Sequence, residues 1–184
     1  MSKIGIFFGT DTGSTRLVAK KIFSLLGEGV AEKPKNINRT SVAELLQYDA
    51  LILGTPSYGI GDLPGKSVGC TETNWEEFVP NLVGVDLSGK RIALYGMGNQ
   101  ERYADRFASS MIHLHRIFSG YGADMIGQWS TDGYQFENSQ AVVDNQFVGL
   151  ALDQRTQPHL TDDRLKAWLE QVTPQLLAIT QAAA

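Results

Sequence analysis

Residues 4–18 read Ile4-Gly5-Ile6-Phe7-Phe8-Gly9-Thr10-Asp11-Thr12-Gly13-Ser14-Thr15-Arg16-Leu17-Val18. The first five form a short apolar run, and Gly9 to Gly13 is rich in turn formers. A helical pattern then runs from about Ser14 to Leu26, with Leu17, Val18, Ile22 and Leu25 spaced to cover one face. A strand, a tight polar loop and a helix open a layered α/β fold.

The alternation continues outward from there. Val30 to Ile37 supplies a modest second strand, with an edge character set by its lysines and proline. Ser41 to Gln47 reads as a short helix capped by Ser41 with Glu44 three residues on. Ala50 to Leu53 is continuously apolar, as in a parallel strand covered on both faces. Trp75 to Leu82 carries a helical face, Arg91 to Tyr95 a strand, and the segment after Arg106 a helix to Gly120. A fifth strand opens at Ala123–Gly127, is interrupted from Trp129 to Asn145, and resumes at Phe147–Leu152. Thr161 to Leu177 closes the chain as a helix, with Thr161 as cap and Asp162 and Asp163 at its positive end. The tail from Gln181 reads as frayed. Right-handed crossovers make five such strands a three-layer sandwich. Strand order is not legible from periodicity.

The 184 residues suit one buried core and are short for two full domains. No repeat or linker divides them. A formal charge of -4 argues against a generic nucleic-acid binder. A single cysteine, Cys70, excludes an intramolecular disulfide framework. The start of the chain lacks a signal-peptide pattern, and no apolar run is long enough to span a bilayer. The chain therefore reads as soluble and cytoplasmic.

Ligands in open α/β sheets bind beyond the carboxyl ends of the strands. Three loops qualify. Loop 9–15 places four hydroxyls at a helix start, where free N–H groups favour a phosphate. It contains no basic residue, lacks the Walker A and Gly-x-Gly-x-x-Gly spacings, and serves equally as a capping turn. Loop 54–63 carries Tyr58 beside Gly59 and Gly61. The tyrosine either covers a planar ring or packs on its own loop. Loop 96–106 offers Asn99, Gln100 and the backbone near Gly98 for the polar edge of a heterocycle, with Tyr103 for its face. Together the three describe a site for a mononucleotide with a large flat ring. No catalytic constellation accompanies them. His113 and His115 do not share a helix face, and His159 stands beside Pro158, so all three read as structural or surface residues. Ser14 and Ser57 lack a visible triad and Gly-x-Ser-x-Gly is absent. Cys70 stands alone in a loop, open to exposure and without an identifiable base. No metal ligands occur at a recognised spacing.

These motifs, taken together, resemble the flavodoxins over residues 3–178. They are Phe7–Thr15, Leu53–Pro56, Gly98-Asn99-Gln100 followed by Tyr103-Ala104-Asp105, Asp132-Gly133-Tyr134, and Phe147 to Asp153. The 129–149 interruption resembles the insertion of long-chain flavodoxins. Leu63-Pro64-Gly65 through Phe78 resembles the extended loop of bacterial flavodoxins associated with nitrogen fixation. The resemblance implies a single flavodoxin-like domain over residues 1–184, with a five-stranded parallel sheet in the order 2-1-3-4-5. It implies a monomeric electron-transfer protein rather than an enzyme, with noncovalent FMN cycling mainly between neutral semiquinone and hydroquinone. It carries phosphate binding onto Thr10, Asp11, Thr12, Gly13, Ser14 and Thr15. The ring is assigned to Thr55, Pro56, Ser57, Tyr58, Gly59, Gly61, Gly98, Asn99, Gln100, Tyr103 and Asp105, with Gly59 turning its carbonyl toward the ring. The implied acceptor is the nitrogenase iron protein. The implied donors are a pyruvate:flavodoxin oxidoreductase or a ferredoxin/flavodoxin–NADP reductase. General metabolic service in place of ferredoxin is the alternative. An FMN-dependent NAD(P)H oxidoreductase on the same fold fits less well, because tyrosines on both ring faces leave little room for a substrate. A cofactor-free module leaves the phosphate loop and both tyrosines unexplained.

The chain departs from the family pattern where Asn99 replaces an acidic residue and Arg102 and Arg106 add cations near the ring position. Positive charge favours an anionic reduced ring. The lower of the two reduction potentials is therefore expected to be less negative than in an Asn99→Asp, Arg102→Gly variant. Redox titration of both proteins checks this, and equal or reversed potentials would refute it.

Overall fold

The computed structural model describes residues 3–182. Strand β1 (Gly5–Phe8) and helix α1 (Ser14–Leu26) form where the opening stretch places them. They are followed by β2 (Lys35–Asn36), α2 (Val42–Leu45), β3 (Ala50–Pro56), α3 (Trp75–Phe78), β4 (Arg91–Met97), α4 (Met111–Gly120) and β5 (Asp124–Ile126). Short strands β6 (Trp129–Ser130), β7 (Val142–Val143) and β8 (Gln146–Phe147) precede β9 (Leu150–Leu152) and α5 (Thr161–Ala182).

The main sheet runs β2-β1-β3-β4-β5, all parallel, with β9 also parallel to β4. Strand β5 pairs with Arg91–Ala93 and β9 with Tyr95–Met97. The fifth strand is thus one position in the sheet, split by residues 127–149. Those residues build their own antiparallel sheet, β6-β8-β7. This flavodoxin-like sandwich with an interrupted fifth strand is the architecture expected from the sequence motifs.

Side-chain alternation sorts the core into two faces. Leu51, Leu53, Ile92 and Leu94 pack with Trp75, Phe118 and Met111. Ile52, Ala93 and Tyr95 pack with Val18 and Ile22 of α1 and Trp168 and Val172 of α5. The insertion docks through an aromatic cluster in which Phe147 lies 5.2 Å from Tyr134 and 5.9 Å from Phe107. The Arg164 guanidinium of α5 sits 3.9 Å from the Tyr134 ring centre and fastens this cluster to the last helix.

Several local expectations change. The second strand shrinks to two residues, joined only by an Ile4–Ala31 bridge before it, because Pro34 has no N–H to give the ladder. Strands β3 and β4 run past Leu53 and Tyr95 to Pro56 and Met97. Helix α3 gives way at Val79 to a tighter turn containing Pro80. In α1 the buried face is Val18, Ala19 and Ile22, while Leu17 and Leu25 are 55% and 46% exposed. Ser41 and Glu44 do form the expected capping box. Thr161 does not cap: it is already helical, and its buried hydroxyl has no partner among the described residues. Helix α5 continues through Gln181 and Ala182, expected as frayed tail; Ala183 and Ala184 lie outside the described residues.

Candidate functional site

The carboxyl ends of β1, β3, β4 and β9 converge on a cavity of about 470 Å³. Each strand delivers a loop there because a parallel sheet puts every strand end of one polarity on one edge. Thr12 and Ser14 come from the loop after β1. Pro56, Ser57, Tyr58, Gly59 and Gly61 follow β3, and Gly98, Asn99 and Tyr103 follow β4. Thr12 also borders a second cavity of about 650 Å³, lined by Thr10, Asp11 and Gly13 on the other side of the same loop.

The loop at 9–15 is held open by its own bonds. Gly13 donates to Thr10 Oγ1 at 3.0 Å, and Leu17 is the first residue of α1 to bond back, to the Gly13 carbonyl at 3.0 Å. The N–H groups ahead of Leu17 mark the positive end of a 13-residue helix. Thr15 is fully buried, and its Oγ1 has no partner among the described residues. A buried orphan hydroxyl at a helix N-terminus suits an anion with several acceptor oxygens. Residues from α3's start support the loop from beneath: Asn74 Nδ2 donates to the Thr10 carbonyl at 2.9 Å, and Trp75 Nε1 to the Gly54 carbonyl at 2.8 Å. Sequence reading missed this support, since nothing local links residue 74 to residue 10.

Tyr58 stands on the wall with its hydroxyl donating to Asp11 Oδ2 at 3.0 Å. Burial and the Asp11 carboxylate push its phenol above the ordinary range. Asp11 Oδ1 also accepts from Thr71 N–H at 3.1 Å. Asp11 therefore ties the phosphate-type loop to the ring wall and to the segment beyond Cys70. Cys70 itself is buried, which overturns the expectation that it is open to exposure, and burial pushes its thiol up. The wall at 57–62 is pinned by the start of α4. Ser110 N–H donates to Ser57 Oγ, its hydroxyl to the Asp62 carbonyl, and His113 Nε2 to the Gly61 carbonyl at 3.0 Å. A carbonyl only accepts, so His113 carries its proton on Nε2. Gly61 sits at φ +104° with Ser109 Cβ 2.8 Å from where its own Cβ would be; only glycine meets both demands.

On the opposite wall, Tyr103 is 38% exposed, with the Arg102 and Arg106 guanidinium carbons 5.4 and 5.0 Å from its ring centre. Asn99 Oδ1 accepts from Arg102 N–H at 2.9 Å, so this amide shapes the turn as well as bordering the cavity. Four residues chosen from sequence stand outside the lining of both cavities: Thr15, already described, and Thr55, Gln100 and Asp105. Gln100 is buried, donating to Thr156 Oγ1 and accepting from Gln135 N–H at 2.6 Å. Asp105 pairs with Arg106 at 2.7 Å. Thr55 is buried too, its hydroxyl turned to the Pro56 carbonyl. The lining gains Met97, Ala108, Gln154 and Arg155. The last two follow β9, so the rule about strand ends would have found them had the resumed fifth strand been counted as a fourth loop donor.

A doubly wound parallel sheet whose strand-end loops enclose one anion-ready helix terminus and two tyrosines defines a mononucleotide-binding α/β protein. The family model for flavodoxin matches residues 6–168. A flavodoxin of Klebsiella pneumoniae is 48% identical over 177 residues, covering 96% of this chain and 100% of its own. One of Enterobacter agglomerans is 44% identical over 178 residues, covering 96% and 100%. Among solved structures, a Fusobacterium nucleatum flavodoxin bound to flavin mononucleotide superposes with a TM-score of 0.85 at 30% identity, over 95% of this chain and 99% of that one. The chain belongs to the flavodoxin family, whose members carry electrons and are not enzymes.

Proposed function

We propose that the chain is a low-potential one-electron carrier that holds FMN noncovalently, with the nitrogenase iron protein as its acceptor. The observation that carries the cofactor assignment is a cavity walled by Tyr58 and Tyr103 and bordered by Thr12 and Ser14 at the start of α1, where the buried Thr15 hydroxyl has no partner among the described residues. When bound, FMN supplies one-electron chemistry through its successive reduction steps. The chain's own residues bind and orient it. The N–H and hydroxyl groups of Thr10 to Thr15 would hold the phosphate, without a lysine or arginine inside the loop. Tyr58, fixed by Asp11, and Tyr103, flanked by two arginines, confine a flat ring and shield it from water. The wall at Gly59 and Gly61 adapts to the ring edge while Ser110 and His113 hold its base.

The segment from Leu63 to Phe78 supports the nitrogenase reading, through its resemblance to the nitrogen-fixation-associated flavodoxins. In this chain it packs against the phosphate loop through Thr71, Asn74 and Trp75. General service to ferredoxin-type partners is the competing reading of the same site. The reduced protein is mixed anaerobically with oxidised nitrogenase iron protein and, separately, with a ferredoxin–NADP reductase. Faster reduction of the iron protein supports the specialised role; reaction with the reductase alone contradicts it.

A further inference from the structure

Tyr95 stands in the middle of the sheet on β4, fully buried in the core shared with α1 and α5. Its ring crosses the neighbouring strand at Gly54, its pairing partner, where any Cβ would collide with it. Glycine there lets the phenol reach the start of α1, and its hydroxyl donates to the Thr15 carbonyl at 3.0 Å, across 80 residues of sequence. Burial pushes the phenol well above its ordinary range, so the hydroxyl keeps its proton and acts as the donor. Phenylalanine would fill the same volume; only this bond calls for tyrosine.

The bonded carbonyl belongs to the planar peptide that joins Thr15 to Arg16. Along a helix each N–H points toward the amino end and each carbonyl the opposite way. Leu17 is the first residue of α1 to bond back, so the Arg16 N–H, at the other end of this same peptide, has no partner among the described residues. The turn it belongs to borders the cavity at Thr12 and Ser14. Tyr95 itself lines neither cavity.

We propose that Tyr95 is a positioning residue for phosphate: it anchors and polarises the peptide between Thr15 and Arg16, so that the Arg16 N–H becomes a stronger and better-aimed donor to a phosphate at the start of α1. The proposal rests on loop 9–15 being the phosphate site. A carbonyl that accepts a hydrogen bond draws electron density from the N–H of its own peptide. Bonds chained in this way strengthen one another by about 10–30% in a low-dielectric interior. Holding the carbonyl from inside the core also fixes the plane of the peptide, and with it the direction of the N–H.

Tyr95→Phe removes the hydroxyl and keeps the ring. Fluorescence titration of the flavin-free protein should show the FMN dissociation constant rising about fivefold, the worth of one net hydrogen bond, with riboflavin held within about 1.5-fold. A bond that merely braces the fold would weaken both flavins alike or neither, and either result overturns the proposal. A second measurement uses the unaltered protein and does not depend on the variant folding. The Arg16 amide proton and the buried Tyr95 hydroxyl proton are followed by NMR as FMN, riboflavin or inorganic phosphate is added. Both signals should move downfield with inorganic phosphate alone, and further with FMN than with riboflavin. A Tyr95 hydroxyl signal indifferent to phosphate, in a protein whose Arg16 amide responds, refutes the coupling. If the unaltered protein binds FMN no more tightly than riboflavin and ignores inorganic phosphate, the phosphate reading of the loop fails and this proposal with it. If it selects phosphate and Tyr95→Phe keeps that selectivity in full, this proposal alone fails.

Discussion

Replacing Ser14 by aspartate is expected to raise the FMN dissociation constant by about 100-fold while leaving riboflavin binding within about threefold. Ser14 is the first residue of α1 and lines the cavity. A carboxylate there would lie close to the phosphate. Two unit charges about 4 Å apart near a protein surface interact by about 4 kcal/mol. Partial exposure to water lowers that to about 3 kcal/mol, which is roughly 100-fold in affinity. Riboflavin lacks the phosphate and escapes the repulsion. The substitution should not harm folding, because aspartate at a helix N-terminus is favoured by the macrodipole by about 0.3–1 kcal/mol. Fluorescence titration with both flavins, alongside thermal melting, reads all three effects. Equal losses for the two flavins would move the phosphate away from this loop.

The second large effect is expected at Asp153, which is fully buried at the end of β9. One oxygen accepts from Gln100 N–H at 2.9 Å and Thr156 Oγ1 at 2.5 Å. The other accepts from the N–H groups of Arg155 and Thr156, each at 2.9 Å. One carboxylate thus joins the turn carrying Asn99 to the turn carrying Gln154 and Arg155, two walls of the same cavity. Asp153→Ala leaves four donors to find water or go without. At about 1 kcal/mol or more for each unsatisfied group, the loss is about 4 kcal/mol. In a protein of this size the melting temperature should fall by roughly 10 °C. FMN affinity should fall with it, because both turns lose their common anchor. Burial pushes the Asp153 pKa up, but the Thr156 hydroxyl and the N–H groups of Gln100, Thr156 and Arg155 outweigh it and hold the carboxyl below its ordinary range. A carboxyl with a depressed folded pKa adds stability above its unfolded pKa and loses it as pH falls through the folded value. Acid unfolding of the parent should therefore steepen below about pH 4, and the Asp153→Ala protein should lack that component. A variant with parental stability and the same acid profile would contradict this role.

The opening stretch was legible because one short run states a strand, a loop and a helix in succession, and burial follows that statement residue by residue from Gly5 to Phe8. The apolar runs of β3 and β4 were equally clear, since strands covered on both faces leave no polar residue to confuse the period. What periodicity could not show was pairing. That β5 and β9 share one neighbour depends on the register with β4, which is a long-range fact. The motif resemblance supplied the strand order, and the geometry shows why the insertion is tolerated: it leaves the sheet between Ala93 and Tyr95 of β4 and returns in step. The cavity was legible as three loops and not as individual side chains. Gln100 looked like a ring-edge reader, yet turns away to Thr156 and Gln135, partners 56 and 35 residues distant. Asn74 was missed for the same reason, because its role exists only through its contact with Thr10, whereas Arg155 was missed because the resumed fifth strand was not counted as a loop donor.

Anaerobic reductive titration of the FMN-loaded protein, followed by absorbance, tests the central claim most directly. The account predicts one flavin per chain and two resolved one-electron steps, with a distinct spectrum between the oxidised and fully reduced forms. A single two-electron step with no intermediate spectrum, or a protein that takes up no flavin, would contradict it.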